Sequence, residues 1–457
     1  MAAGADKINP TVYDSWFMSS PFAPFGRFVT ELRALLRAGA NHALPAWRVA
    51  SEAALDGEAG RELARLVPVG ARRRNGTFFT DSKLAGRLAE RIPSMQAGAR
   101  IVDPALGAGD LLLASARRAS RGRTVRHTLD HWTAAFAGLD REKIFVQAAR
   151  LRLWLLAHVL HGVPVSGAPP ADRFDSLEWA DLMKRPDVLE HATDILLNPP
   201  FSRIPAPNWF TLAGGKVNAA AIIADFIVRH VPSGARLHAI LPEVLRTGSL
   251  YARWRSDMAR QCEVRDIDSC GLFDSADVDV FMVTMEKRRR VAVTGVGRWP
   301  VQAPRHATSL GELFDVSVGA VVDFRDPHEG PIRAYIHPRN VPVWKEVRRI
   351  IGFRAFQGTV VQPPFVVLRR TSRPGDKWRA TGSIICGKRP VAVENHLLVC
   401  RPVTRELEAC RVLLRELRTA RINKFLDREM RCRHLIVDVV KRIPLGTISF
   451  GRKAARR

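Results

Sequence analysis

Cysteine is scarce. The chain has 6 in 457 residues, at Cys262, Cys270, Cys386, Cys400, Cys410 and Cys432, and none forms a C-x-x-C pair. With no H-E-x-x-H and no spaced Cys/His set either, the sequence supports no metal site. Scattered thiols of this kind read as the reduced cysteines of a cytoplasmic protein. No apolar run is long enough to span a bilayer, so no membrane partner is expected. The first residues, MAAGADKINP, lack the apolar core of a secretory signal. Internal repeats and low-complexity tracts are missing too. The expectation is a soluble, cytoplasmic, globular chain, with an ordinary 46% hydrophobic and 25% charged residues.

Acid is also in short supply. Lys+Arg number 71 against 45 Asp+Glu, a formal net charge of +26. An imbalance of that size points to a polyanionic partner, most often nucleic acid and sometimes an anionic membrane. A GC-rich genome, which inflates arginine, is the plainer alternative. At about 100–200 residues per domain, the length suggests two or three domains.

Residues 1–70 read as mostly helical. Phe28, Leu32, Leu35 and Leu36 fall on one helical face, as do Leu63, Leu66 and Val67. A basic, turn-like stretch from Gly70 to Gly76 ends this region. From about 77 to 290, apolar runs alternate with amphipathic stretches. Strands are expected at 100–106, 135–140, 193–200, 235–242 and 278–287, and helices at 110–118, 141–162 and 224–234. Such alternation argues for an α/β sheet with helices on both faces. After about 300, short β-like runs are separated by Pro and Gly, and a final helix is expected over 404–430. The expected divisions are therefore 1–70, 71–300 and a C-terminal module, 301–457.

Two short motifs sit at expected strand ends. In the first, Asp103-Pro104-Ala105-Leu106-Gly107-Ala108-Gly109-Asp110, a strand runs into a glycine turn and then a helix. Glycine lets a backbone approach a ligand closely, and strand carboxyl ends are where open α/β sheets bind cofactors. No G-x-G-x-x-G and no P-loop lysine is present. In the second, Asp194-Ile-Leu-Leu-Asn198-Pro199-Pro200-Phe201, the prolines remove two donors and leave carbonyls free to accept. Asn198 can accept through its side chain, and Phe201 offers a stacking face. The set suits a planar exocyclic amine: two acceptors for the NH2 and a ring for the base.

Together, D-P-x-x-G-x-G-D and N-P-P-F resemble the S-adenosylmethionine-dependent adenine-N6 DNA methyltransferases, with Leu106 and Ala108 where Cys and Ser or Thr are commoner. Gly76-Thr-Phe-Phe79-Thr80 is similar to the family's G-x-F-Y-T segment, and the motif order resembles its gamma group. The segments 233–242 and 272–278 resemble the family's later strands. The resemblance implies a Rossmann-like, doubly wound methyltransferase sheet, followed by a β-rich target-recognition module ending in helix. It implies that Phe79, Thr80, Asp103, Pro104, Ala105, Gly107 and Gly109 hold S-adenosylmethionine, that Asp140 holds the ribose hydroxyls, and that Asp175 and Ser176 contact the cofactor's adenine. Asn198, Pro199, Pro200 and Phe201 would then be catalytic, and the base would have to leave the duplex. The implied partners are double-stranded DNA and a separate restriction endonuclease or specificity subunit. RNA adenine or protein glutamine as substrate, or a non-catalytic DNA-binding relative, are the alternatives.

The C-terminal module supplies basic charge. Arg369, Arg370, Arg373, Lys377, Trp378 and Arg379 fall on a stretch whose Pro374-Gly375-Asp376 signals a turn, so a DNA-contacting basic hairpin is expected there. Arg72, Arg73 and Arg74 are further candidates for phosphate contact.

Overall fold

The computed structural model describes residues 20–39, 45–93, 98–165, 167–170, 172–273, 277–293, 299, 308–431 and 433–446. The amino-terminal decapeptide, Asp274 to Ala276 and Cys432 lie outside them. The chain divides into two compact units, Met1–Pro242 with Arg253–Gly297, and Glu243–Ala252 with Arg298–Arg457. Among the described residues, no helix is long and apolar enough to cross a membrane.

The first unit is built on a seven-stranded mixed sheet. Its strands are β1 (Ile101–Asp103), β2 (Phe136–Asp140), β3 (Leu177–Trp179), β4 (Asp194–Leu197), β5 (Arg236–Pro242), β6 (Cys262–Phe273) and β7 (Val278–Lys287). Their order is β3-β2-β1-β4-β5-β7-β6. The first five are parallel, and β7 runs antiparallel to both of its neighbours. The cores of β1, β2, β4, β5 and β7 are continuous apolar runs because both faces are covered. Ile101, Leu196, Ile240 and Met282 belong to one apolar core. Their neighbours in sequence Val102, Ile195 and Leu241 point to the other face and are equally buried.

Helices α1 (Gly26–Ala38), α2 (Pro45–Leu55), α3 (Glu58–Leu66), α4 (Val69–Asn75) and α5 (Ser82–Ala89) precede the sheet. Phe28, Leu32, Trp47 and Leu63 share one core with the sheet. The stretch expected to be a turn at 70–76 is helix α4, entered after Pro68 and closed by Gly76 at φ 67°. Arg72 is not at the surface for phosphate. Its Nε donates to the Val67 carbonyl (3.1 Å) and its guanidinium lies over Phe78.

Connecting helices are α6 (Asp110–Arg118), α7 (Val125–Ala135), α8 (Lys143–His161) and α9 (Ala219–His230). α9 starts earlier than expected because Asn218 Oδ1 accepts the Ala220 amide (3.0 Å) and caps it. α10 (Glu243–Thr247) belongs to the second unit, whereas most of α11 (Ala252–Gln261) returns to the first.

In the second unit, strands β8 (Phe314–Val318), β9 (Ile332–Ile336), β10 (Glu346–Val347), β11 (Phe353–Ala355), β12 (Phe365–Arg369), β13 (Gly382–Ile385), β14 (Val391–Val393) and β15 (Leu397–Pro402) form two sheets. Their orders are β8-β15-β12-β13-β10 and β11-β9-β14. Helices α12 (Leu310–Leu313), α13 (Leu407–Glu416), α14 (Ala420–Glu429) and α15 (Val437–Lys441) complete the unit. The single final helix expected at 404–430 is thus two. Ala409, Cys410, Leu413 and Leu417 form one buried stripe, and Ile422, Phe425 and Leu426 another. On one straight helix these stripes would point in different directions, and the break at 417–419 lets both reach the same core.

A buried ionic network ties α10 into this unit. Arg246 bonds Glu243 Oε1 (2.9 Å) and the carbonyls of Glu429 (2.8 Å) and Arg428 (3.2 Å), while Arg442 bonds the Glu429 carboxylate (2.5 Å). Removing one partner of such a set strands buried polar groups. Arg246→Ala is expected to destabilise the second unit by about 3–5 kcal/mol. Urea unfolding followed by a probe in each unit should show one midpoint shifted and the other unmoved.

Candidate active site

The strand order reverses between β1 and β4: β2 and β3 lie on one side, β5 on the other. Such a switch point opens a crevice at the carboxyl ends of the two strands. Asp103 is the last residue of β1, and Asn198 follows the last residue of β4. Both sequence motifs therefore open onto the same crevice.

Three chain segments meet there. Gly107 has φ 52°, and a Cβ on it would lie 3.0 Å from the Phe79 ring, so Phe79 lies directly against the glycine turn. A Cβ on Gly76 would lie 2.7 Å from the amide nitrogens of Phe201 and Ser202. The G-T-F-F-T segment thus touches the glycine turn at one end and N-P-P-F at the other. Phe79 is held edge-on by Phe25 and Phe145. Gly109 begins α6 in the left-handed region, close to Ala149 of α8. Arg152 of α8 supports the turn from within, bonding the Ala108 carbonyl (2.7 Å) and Asp110 Oδ1 (2.8 Å).

Acids line the crevice. Asp103 is 1% exposed; its Oδ1 accepts the Ala105 amide (3.2 Å), and its Oδ2 is buried with no hydrogen-bond partner among the described residues. Burial, and then the negative charges of Asp140 and Asp110, push its carboxyl up to about 8. Asp140 ends β2 and accepts the Gly107 and Glu142 amides, each at 2.8 Å. Burial lifts it to about 6, against the pull of those two amides. Asp110 is neutralised by Arg152. Pro104 is buried in the turn.

Across the crevice, Asn198 Nδ2 donates to Thr80 Oγ1 (2.8 Å), and Thr80 is itself buried. Using the amide nitrogen this way fixes the side chain and leaves Oδ1 free to accept. Neither Asn198 Oδ1 nor the Pro199 carbonyl takes a hydrogen bond from a described residue. Pro199 is buried and Pro200 half-buried. The half-buried Phe201 ring meets Phe273 edge-on at 5.9 Å. Its carbonyl accepts Asn218 Nδ2 (3.0 Å), which anchors the loop to a ribbon formed by Arg203–Pro205 and Lys216–Asn218.

Asp175 and Ser176 do not reach this crevice. They precede β3, at the amino ends of the strands, where Ser176 Oγ donates to the Phe136 carbonyl (2.6 Å). The acid beyond the carboxyl end of β3 is Asp181, which accepts the Met183 amide and pairs with Arg141 at 3.6 Å. In the second unit, the expected hairpin is β12 and β13, paired antiparallel. Arg373 and Lys377 are exposed on its loop and Trp378 is half-buried. Arg369 and Arg370 are half-buried and bond the carbonyls of Pro338 and Asn395. Arg379 is fully buried, bound to Asp427 (2.6 Å) and Ser372 (3.0 Å), and is removed from any DNA-facing role.

Sequence reasoning missed Arg152, Asn218 and Gly138. A Cβ on Gly138 would lie 2.9 Å from the Asp103 carbonyl oxygen, so β2 and β1 need a glycine there. The available signals were an arginine within an apolar helix and an asparagine just before a run of alanines.

A scan against family models finds no match, nor does a comparison with curated proteins. Among solved structures, the chain is similar to the type IIG restriction endonuclease BpuSI at 13% identity, covering 94% of this chain and 70% of that one, with a TM-score of 0.42. It is similar to the type IIL restriction–modification enzyme MmeI, solved in complex with DNA, at 13% identity over 84% of this chain and 69% of that one, TM-score 0.44. The M protein of the type I restriction enzyme EcoKI gives 16% identity over 57% of this chain and 63% of that one, TM-score 0.36.

Proposed function

We propose that this chain transfers a methyl group from S-adenosylmethionine to the N6 amine of adenine at a specific sequence in double-stranded DNA, as the modification enzyme of a restriction–modification or related defence system. The observation that carries this reading is the fixed amide of Asn198. It presents a free acceptor beside the free Pro199 carbonyl, in the same crevice as Asp103 and Asp140.

The residues present fit the cofactor. S-adenosylmethionine supplies a methyl group activated on a sulfonium. The orphaned, buried Asp103 Oδ2 suits its ammonium. The Asp140 carboxylate has accepted two amides and keeps lone pairs for two ribose hydroxyls. Asp181, rather than Asp175, is the acid placed to meet the adenine edge.

The chain's own work is mostly positioning. Adenine N6 is a poor nucleophile because its lone pair is delocalised into the ring. Asn198 Oδ1 and the Pro199 carbonyl accept its two N–H bonds, turning the amine toward sp3 geometry and aiming the lone pair. Phe201 stacks on the base and recovers part of the few kcal/mol spent on flipping it out.

Expression in a host lacking adenine methylation, followed by sequencing that reads N6-methyladenine, should show one short motif modified, and Asn198→Ala should abolish it. Thr80→Val leaves the Asn198 amide unanchored: kcat should fall about tenfold, the size of one orienting hydrogen bond, as read from single-turnover rates at saturating S-adenosylmethionine. The Asp103 carboxyl gives a pH prediction. Its folded value, about 8, exceeds the ordinary 3.8, so the folded state holds a proton that the unfolded chain releases. Its contribution to stability therefore falls as pH rises from 4 to 8. Asp103→Asn should raise the Tm of the ligand-free protein at pH 8, with little gain at pH 4, and weaken S-adenosylmethionine binding at least tenfold. Wild-type binding at pH 7 should release a proton, measured by calorimetry in buffers of different ionisation enthalpy.

A further inference from the structure

The second unit carries an aromatic hollow unrelated to the basic hairpin. It is about 410 Å³ in volume and is lined by Asp323, Phe324, His328, Tyr335, Phe353 and Arg354. Its floor is rigidly built. Asp326 accepts the Val322 amide and returns its own amide to the Val322 carbonyl, each at 2.8 Å, closing a tight turn. Asp323 accepts the Tyr335 hydroxyl (2.8 Å) and pairs with Arg354. Arg354 also bonds the Asp326 carbonyl (2.6 Å). It is 4% exposed, and its Nε has no hydrogen-bond partner among the described residues.

On this floor, Phe324 stands 89% exposed and Phe353 59% exposed. A loop pinned by two carboxylates and a buried guanidinium, yet presenting a bare phenyl ring, is pre-organised for a partner. The chemistry selects that partner. Two phenyl faces suit a planar ring, and a carboxylate and an imidazole at the rim suit the hydrogen-bonding edge of a heterocycle. An apolar side chain would cover the rings but desolvate the His328 imidazole and Asp323 Oδ2, which takes no hydrogen bond from a described residue, without giving either a partner. Arg339, Arg348 and Arg349 lie exposed on the same stretch of chain, charged appropriately for phosphate.

We propose that this hollow binds a nucleobase of the DNA recognition sequence that has left the duplex stack, stacked instead on Phe324 and Phe353 with its edge toward Asp323 and His328. The proposal deepens the methyltransferase reading and rests on it. Base–aromatic stacking is sequence-tolerant in itself, so selectivity falls to the polar rim.

The test uses the full chain and a duplex carrying the motif found by methylation mapping. Phe324→Ala should cut kcat/KM for that duplex about tenfold, the scale of one lost stacking contact. S-adenosylmethionine affinity and the salt dependence of duplex binding should be unchanged, and Phe324→Trp should restore activity. A 2-aminopurine placed at each position of the motif should brighten on binding to the wild type at one position that Phe324→Ala silences. Wild-type rates in Phe324→Ala overturn the proposal while leaving the methyltransferase reading intact. So does an equal loss on every duplex with a reduced salt slope. A wild-type chain that binds S-adenosylmethionine and methylates no DNA overturns both.

Discussion

The hydrogen bond from Asn198 to Thr80 joins residues 118 positions apart, and much of the first unit exists to make it possible. One partner sits past the end of a central strand, the other just before α5. For them to meet, the G-T-F-F-T segment must cross the carboxyl edge of the sheet in contact with both motif turns. That is why Gly76 and Gly107 have no room for a side chain, the one against the N-P-P-F backbone and the other against Phe79. The N-terminal helices contribute by clamping Phe79 through Phe25. Their shared core with the sheet is thus part of how the site is held, since a site is only as well placed as the shell behind it.

Stability is given up in the same place. Three acids, Asp103, Asp110 and Asp140, surround the glycine turn, and only Asp110 has an internal cation, Arg152. Asp140 is compensated by two amides, while half of the Asp103 carboxyl has nothing. A buried acid held partly protonated is an unfavourable way to build a fold. It is a good way to hold a cationic ligand, because the ligand's charge supplies what the protein withholds. The raised carboxyl and the orphaned oxygen are two signs of one unmet demand.

Much of this was legible in the sequence, for physical reasons. Strands β1, β2, β4, β5 and β7 are buried on both faces, so each is an apolar run that needs no partner to be noticed. Strand β6 is different: it lies at the sheet edge and interleaves Arg265, Asp266 and Asp268 with its apolar positions, so alternation hides it. Strand β3 is three residues long and ends on an exposed tryptophan. Without its position, nothing in the sequence shows that Asp175 and Ser176 lie at the amino ends of the strands and Asp181 beyond the carboxyl end of β3. Arg379 illustrates the opposite failure. Within a basic run it looks like its neighbours, and only the fold shows that Asp427, from a distant helix, has drawn it inside.

That failure bears on how the net charge should be read. Four of the buried arginines are not spare cations: Arg152 pairs with Asp110, Arg246 with Glu243, Arg354 with Asp323 and Arg379 with Asp427. Each pair cancels itself and subtracts nothing from the surplus. Among the described residues, accessible cations include Arg373 and Lys377 on the hairpin loop and Arg348 and Arg349 before β11. Surface charge of one sign attracts a polyanion from a distance and holds its backbone without regard to sequence. Selection among sequences needs contacts of another kind, at base edges and base faces. Under the proposed reading the basic loops take the first task and the aromatic hollow the second, and Phe324, being uncharged, adds nothing to the charge pattern that singles out the hairpin.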